Sequence, residues 1–331
     1  GASERVLPYV VEYLQVIFLG SVIIVLHPLL DVFAINDKRP VLAMVAMIVG
    51  SVSNIVLNYI FLFVLEWGIF GSALATILGH SLGMLILLSH FVRKKGRIYL
   101  VKRFHINAVF ASMKNGVPQS IAELSVAFVM VVFNHTLKAL ADTEDIRVSY
   151  LATYSIIMYV GVVCITILIS CSQGIQPIAS YNYGAGAMRR VKGIYAFGVI
   201  FATIMGVVVY GLFMSVDSHL VRLFLKEGQE SILEPTLEAM RVYFIGYIFL
   251  GVNIVSAIFF QSIQRPKSSF IITISYNFVF VIIFLFVLSH YYGVFGVWLS
   301  YPLSLACSSI VVLGVVVYEM YRGALVLKRG S

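Results

Sequence analysis

Charge is what this 331-residue chain has least of: Asp, Glu, Lys and Arg make up 11% of it, against 60% hydrophobic residues. Soluble domains carry about 25% charged residues, so a water-soluble fold of this length has no way to hide so much apolar surface. Cysteine is scarce as well. Cys164, Cys171 and Cys307 all sit inside apolar runs, which excludes a disulfide framework and paired-cysteine metal spacing. Walker, Gly-rich dinucleotide, HExxH and GxSxG sequences are missing. Energy from ATP held by this chain and the common hydrolase chemistries are therefore not expected. No basic segment with a cleavage site marks the start, Gly-Ala-Ser, as a signal peptide.

What the chain does have is a succession of long apolar runs. A helix needs roughly 20 mainly apolar residues to cross the hydrocarbon of a bilayer, and in lipid every backbone donor must be satisfied internally. The sequence predicts an all-α polytopic membrane protein with nine transmembrane helices, near 10–34, 41–65, 70–92, 117–138, 149–173, 194–216, 240–262, 269–289 and 294–318. The formal charge of +8 is distributed as a topology signal and not as a nucleic-acid surface. One alternating set of loops (37–39, 93–103, 189–192, 264–267, the tail after Tyr321, and Lys114) holds 17 of the 23 Lys and Arg residues. Those loops and the C-terminus are expected on the cytoplasmic side. The end of the longest one, HINAVFASMK, reads as a short interfacial helix.

An internal repeat organises these helices. FLFVLEWGIFG at 61–71 returns as FLFVLSHYYGVFG at 284–296, and the Pro40 turn (NDKRP) returns as the Pro266 turn (QRPK), with an offset of about 225 residues. Six helices lie between the copies, so both copies share one orientation, as in a parallel repeat. The expected division is 1–92 as a partial N-lobe of three helices, 93–116 as a cytoplasmic linker and 117–331 as a six-helix C-lobe. Equivalence of the halves predicts three further helices before Gly1.

Three polar features stand out at membrane depth. Ser51, Asn54 and Asn58 share one helix face, and Ser72, Thr76 and His80 share another. Asn58 and Thr76 are each nine residues from Trp67, so they lie at one depth. Oxygens there suit a small cation such as Na⁺, or plain interhelical hydrogen bonding. Glu123 is a carboxylate on the fourth helix, on a face with Gln119, Met130 and Asn134, and such groups usually face an aqueous cavity or a partner. The stretch SCSQGIQPIASYNYG packs Gln173, Gln176, Pro177 and Asn182 together. It reads as a broken helix end exposing backbone groups, or simply as a helix stop. His27 and Asp31 on the first helix are weaker candidates.

SNIVLNYIFLF…WGIFGSALATILGH, GVPQSIAELSVAFVMVVFN, QGIQPIASYNYGAGAMRRVK and FFQSIQRPKSS together resemble the signatures of the multidrug and toxic compound extrusion family, in the subgroup around the bacterial damage-inducible and staphylococcal multidrug exporters. The resemblance implies twelve helices in two lobes around a central cleft, in the bacterial cytoplasmic membrane. It implies antiport, with Na⁺ or H⁺ entering while amphipathic, often cationic drugs leave, and no other cofactor. By position, Asn54, Asn58 and Thr76 match a first-lobe cation site. The family often has Asp where Asn58 stands, and that site's main acid lies on a helix outside this chain. Glu123 is near a second-lobe acid position, and Asn253 falls where one branch carries Asp. Gln173, Gln176, Asn182 and Asn253 would line the cleft. A lipid-linked oligosaccharide flippase is the alternative transporter, which would require a basic cleft. A non-transporting fragment is the other alternative.

Overall fold

The computed structural model describes residues 7–99, 101, 105–225 and 230–321, and all the secondary structure among them is helical. The side chains of Lys114, Pro118 and Gln119, the basic tail from Arg322, and Arg5, Lys102, Arg103 and Lys226 lie outside the described residues. The chain separates into two compact units, Gly1–Phe104 and His105–Ser331.

In the first unit, α1 (Leu7–Leu19) and α2 (Ser21–Asn36) meet at Gly20 with a bend of 56°, so the span expected at 10–34 is broken in its middle. After a tight turn, Pro40 occupies the first position of α3 (Pro40–Tyr59), where the lost amide is one the helix would leave unpaired anyway. A π turn, Ile60–Val64, completes that span, and α4 (Gly68–Val92) returns. Alanines and glycines let α3 and α4 approach closely. A Cβ on Gly79 would lie 2.7 Å from the Gly50 carbonyl oxygen, the small-residue packing that bundles in lipid favour. The small core is Leu30, Ala34, Ala43, Ala46, Leu87 and Phe91. Much of the apolar surface of α3, Met44, Met47, Ile48 and Ile55 among it, is exposed, as a lipid-facing helix requires.

The second unit contains α5 (Ile106–Ala139), α6 (Glu144–Gly184), α7 (Met188–Arg222), α8 (Leu233–Phe244), α9 (Tyr247–Ser262), α10 (Pro266–Ile274) and α11 (Phe280–Tyr321). Two expectations are corrected here. The predicted interfacial segment and the span at 117–138 form one continuous 34-residue helix, α5. The predicted break after Gln173 is also absent, because α6 runs through Pro177 to Gly184. A proline removes a single hydrogen bond, whereas stopping a helix leaves four carbonyls without intrahelical partners. Thr143 caps the start of α6 by accepting from the Ile146 amide at 3.3 Å. The core is aromatic: Phe133 stacks on Tyr154, Tyr243 stacks on Tyr301 at 4.4 Å, and Phe213 packs on Phe244.

Among the described residues, six helical stretches are long and apolar enough to cross a membrane, or up to eight with each bent pair counted as one span. The longest, Pro266–Tyr321, holds a π turn at Ser275–Val279 and non-helical backbone at Gly293 (φ 56°, ψ −137°). Only glycine adopts that conformation readily. A Cβ on Gly296 would lie 2.0 Å from the Leu288 carbonyl oxygen. Contact between residues eight apart, about 12 Å along a straight helix, means that the chain folds back there.

The repeat is visible in the backbone. Lys38 and Gln264 both have positive φ, 62° and 60°. The Arg39 amide donates to the Ala34 carbonyl at 2.9 Å, and the Arg265 amide donates to the Phe260 carbonyl at 2.8 Å. Gly68 and Gly293 also match, at 57° and 56°.

Candidate functional site

The polar stripes of α3 and α4 meet. Asn54 donates through Nδ2 to the Thr76 hydroxyl at 3.3 Å, and Thr76 donates to the Ser72 carbonyl at 3.1 Å. Asn58 donates to the Asn54 carbonyl at 3.0 Å. All three are half-buried, whereas Ser51 is exposed. The seam thus offers hydroxyl and amide oxygens at one depth, and its donors are already partly committed to the backbone.

His80, on the same α4 stripe, takes a different partner. Its Nδ1 is 3.0 Å from Nδ1 of His27, and the rings meet edge to face. Nε2 of His27 lies 3.7 Å from Oδ2 of Asp31, one helical turn on. His27 is slotted against Gly83, where a Cβ would stand 2.3 Å from Nε2. Nε2 of His27 and Oδ1 of Asp31 are buried without hydrogen-bond partners. The sequence carried a signal for His27 and Asp31 and placed His80 on a polar face. The meeting of the two histidines, 53 residues apart, arises only from tertiary packing.

At the end of α2, Asp37 is held by a separate set of contacts. Its Oδ2 is 2.8 Å from Nε2 of His90, and its Oδ1 accepts from the amides of Arg97 and Ile98 at 2.8 and 3.0 Å. The hydrogen bond from His90, with help from the two amides, holds this carboxyl below the usual carboxylate range.

In the second unit the expected residues disperse. Glu123 lies on an exposed face of α5, within electrostatic range of the Tyr276 phenol in the π turn. Gln173 is exposed and Gln176 half-buried on α6. Asn182 is half-buried and donates to the Ile178 carbonyl at 2.9 Å. At about 100° per residue it sits half a turn round the helix from Gln173. Asn253 has no exposure at all. Its Nδ2 donates to the Phe249 and Leu305 carbonyls and to the Ser309 hydroxyl at 2.9, 3.1 and 3.0 Å, joining α9 to α11. Among the described residues no cluster of three His, Cys, Asp or Glu side chains is arranged to hold a metal ion.

Among the described residues, the all-helical fold, its apolar spans and its recurring backbone turns define an all-α polytopic membrane protein. The MatE family model matches residues 1–60 and 119–287, and the chain belongs to that family. It is 26% identical over 311 residues to the multidrug export protein MepA of Staphylococcus haemolyticus, covering 89% of this chain and 64% of the relative. It is 25% identical over 263 residues to MepA of Staphylococcus aureus, covering 76% and 56%. The chain therefore spans less than two thirds of the length of these relatives. Its fold is similar to an outward-facing multidrug resistance MATE family transporter of the MOP superfamily, with a TM-score of 0.87 and 23% identity, covering 98% of this chain and 72% of that one. It is also similar to a MOP superfamily transporter from Pyrococcus furiosus, with a TM-score of 0.87 and 22% identity over the same shares.

Proposed function

We propose that the protein bearing this chain is a secondary exporter of amphipathic, often cationic drugs, coupled to inward movement of Na⁺ or H⁺ across the bacterial cytoplasmic membrane. The observation that carries the reading is the family match on both sides of the 61–118 interval, with multidrug export proteins as relatives. The polar seam supports it: Asn54, Asn58 and Thr76 would form part of a first-lobe cation site. Glu123, a carboxylate on an exposed face, would attract the drug cation or exchange with the coupling ion. Gln173 and Gln176 would line the drug pathway, with Asn182 on the opposite face of α6, and Asn253 would fix the α9–α11 wall behind it. The basic loops would face the cytoplasm, with 93–116 linking the partial N-lobe to the C-lobe.

The test is efflux by the complete gene product in everted membrane vesicles, with a fluorescent cationic dye and imposed Na⁺ or pH gradients. Gradient-dependent dye movement that Glu123→Gln reduces is the expected result. Dye movement indifferent to both gradients overturns the coupling, and no dye movement overturns the substrate class.

A further inference from the structure

The two copies of the repeat differ at one buried place. Counted from the Pro turns, His27 stands 13 residues before Pro40 and Asn253 stands 13 before Pro266. Counted from the matching glycines, His80 is 12 after Gly68 and Leu305 is 12 after Gly293. The His27–His80 contact of the first unit therefore occupies the position of the Asn253–Leu305 contact in the second. In the second unit no titratable side chain takes part: the Asn253 amide nitrogen meets three acceptors, and its Oδ1 is buried without a partner. In the first unit the same position holds two imidazoles, with Asp31 where the second copy has Ala257. His27 and Asp31 are 5% and 8% exposed, and each has an orphaned polar atom.

We propose that His27, His80 and Asp31 form a proton-binding site inside the first unit. Two Nδ1 atoms 3.0 Å apart need one proton between them, with one ring donating and the other accepting. When His27 is the donor its Nε2 is bare and faces the Asp31 carboxylate. One added proton binds to Nε2 and converts the pair to imidazolium and carboxylate, taking the cluster from one net negative charge to zero. His80 is half-buried and completes a path from the helix surface to the buried pair.

The neighbourhood isolates the cluster. The elements packed on α2 are α1, α3 and α4. From α4 the titratable groups are His80 and His90, and His90 is engaged by Asp37 ten residues further along. The titratable group on α3 is Tyr59, which is exposed. On α1 they are Tyr9, Glu12 and Tyr13, with Glu12 exposed. On α2 itself Asp31 is the acid, and Asp37 lies beyond its end. The proton bound here would be the one exchanged for drug; that last step rests on the proposed export function, whereas the proton site itself does not.

The experiment is ¹⁵N-imidazole NMR of the complete, detergent-solubilised protein across pH. His27 and His80 are expected to shift together through one shared transition. Asp31→Asn, which keeps the side-chain shape, is expected to move that transition down by about one pH unit or more. Independent transitions of the two imidazoles, or an unmoved midpoint in Asp31→Asn, overturn the site. In proteoliposomes, His80→Gln is expected to bind ethidium as before and to lose proton flux coupled to its transport. Unchanged proton flux removes the coupling role. Failure of the wild type to carry ethidium counts against the export reading, and the NMR titration still decides the proton site.

Discussion

The Asp37 carboxylate bridges the end of α2 to the end of α4: one oxygen meets His90 Nε2 at 2.8 Å, and the other accepts from the Arg97 and Ile98 amides. Its folded-state pKa lies below the ordinary value. A depressed carboxyl contributes stability that is fully present above its unfolded pKa, about 3.9. That contribution fades as pH falls through the lower, folded value. Asp37→Asn should lower the melting temperature of the purified protein at neutral pH, and the gap from wild type should close as the pH falls below about 4. A gap that persists unchanged at low pH contradicts this account.

Asn54 and Thr76 should be coupled weakly. Polar pairs between helices in lipid average about 0.6 kcal/mol in double-mutant cycles, and this bond is long at 3.3 Å. A cycle with Asn54→Ala and Thr76→Ala, read by unfolding in detergent, should return a coupling of about that size. A coupling several times larger would mean that the seam holds something more than its own hydrogen bonds, with Na⁺ the first candidate to vary.

Asn253 should be costly to replace. Asn253→Leu strips donors from the Leu305 carbonyl and the Ser309 hydroxyl inside a packed interface. A loss of about 1–3 kcal/mol is expected from the hydrogen bonds removed, with the Ser309 hydroxyl still donating to the Leu305 carbonyl at 3.0 Å. Ser309→Ala should cost about 1 kcal/mol or less, because Nδ2 keeps its two carbonyls. Denaturation in mixed micelles separates the two.

Backbone conformation gives predictions of opposite sign. Lys38 and Gln264 hold positive φ without being glycine, which costs an L-residue about 1–2 kcal/mol. Lys38→Gly and Gln264→Gly should be neutral or stabilising by up to about 1 kcal/mol, after the extra entropy of an unfolded glycine is subtracted. Gly293→Ala should destabilise by about 1–3 kcal/mol. Thermal shift of the three variants side by side checks the order.

The repeat was legible because prolines and glycines mark backbone conformations directly: Lys38 and Gln264, two residues before Pro40 and Pro266, have matching φ, as do Gly68 and Gly293. Apolar run length located the spans for the same elementary reason. A breaker residue such as Pro177 does not mark a helix end here, because a long helix tolerates one missing hydrogen bond. The bend at Gly20 left no mark in hydropathy, since both arms are equally apolar. Of the site, equal depth around Trp67 set Asn58 opposite Thr76, whereas the hydrogen bond to Thr76 comes from Asn54, one turn away. The His27–His80 meeting joins helices on either side of α3 and needed coordinates. Asn253 shows the limit of reading polarity as function, since it is fully buried and its amide nitrogen is committed within the second unit.

The π turns at Ile60–Val64 and Ser275–Val279 close on bonds from Leu65 to Ile60 and from Phe280 to Ser275. Each carries one residue more than an α turn requires. At the level of the gene, each is a place where a single codon is dispensable. Removing one residue within 60–64 or 275–279 lets the turn close as α while both flanks keep their phase. A codon removed elsewhere in these spans rotates everything downstream by about 100° and turns lipid-facing side chains inward. Length variation among descendants of this sequence should therefore collect at these two turns and be purged from the helices around them.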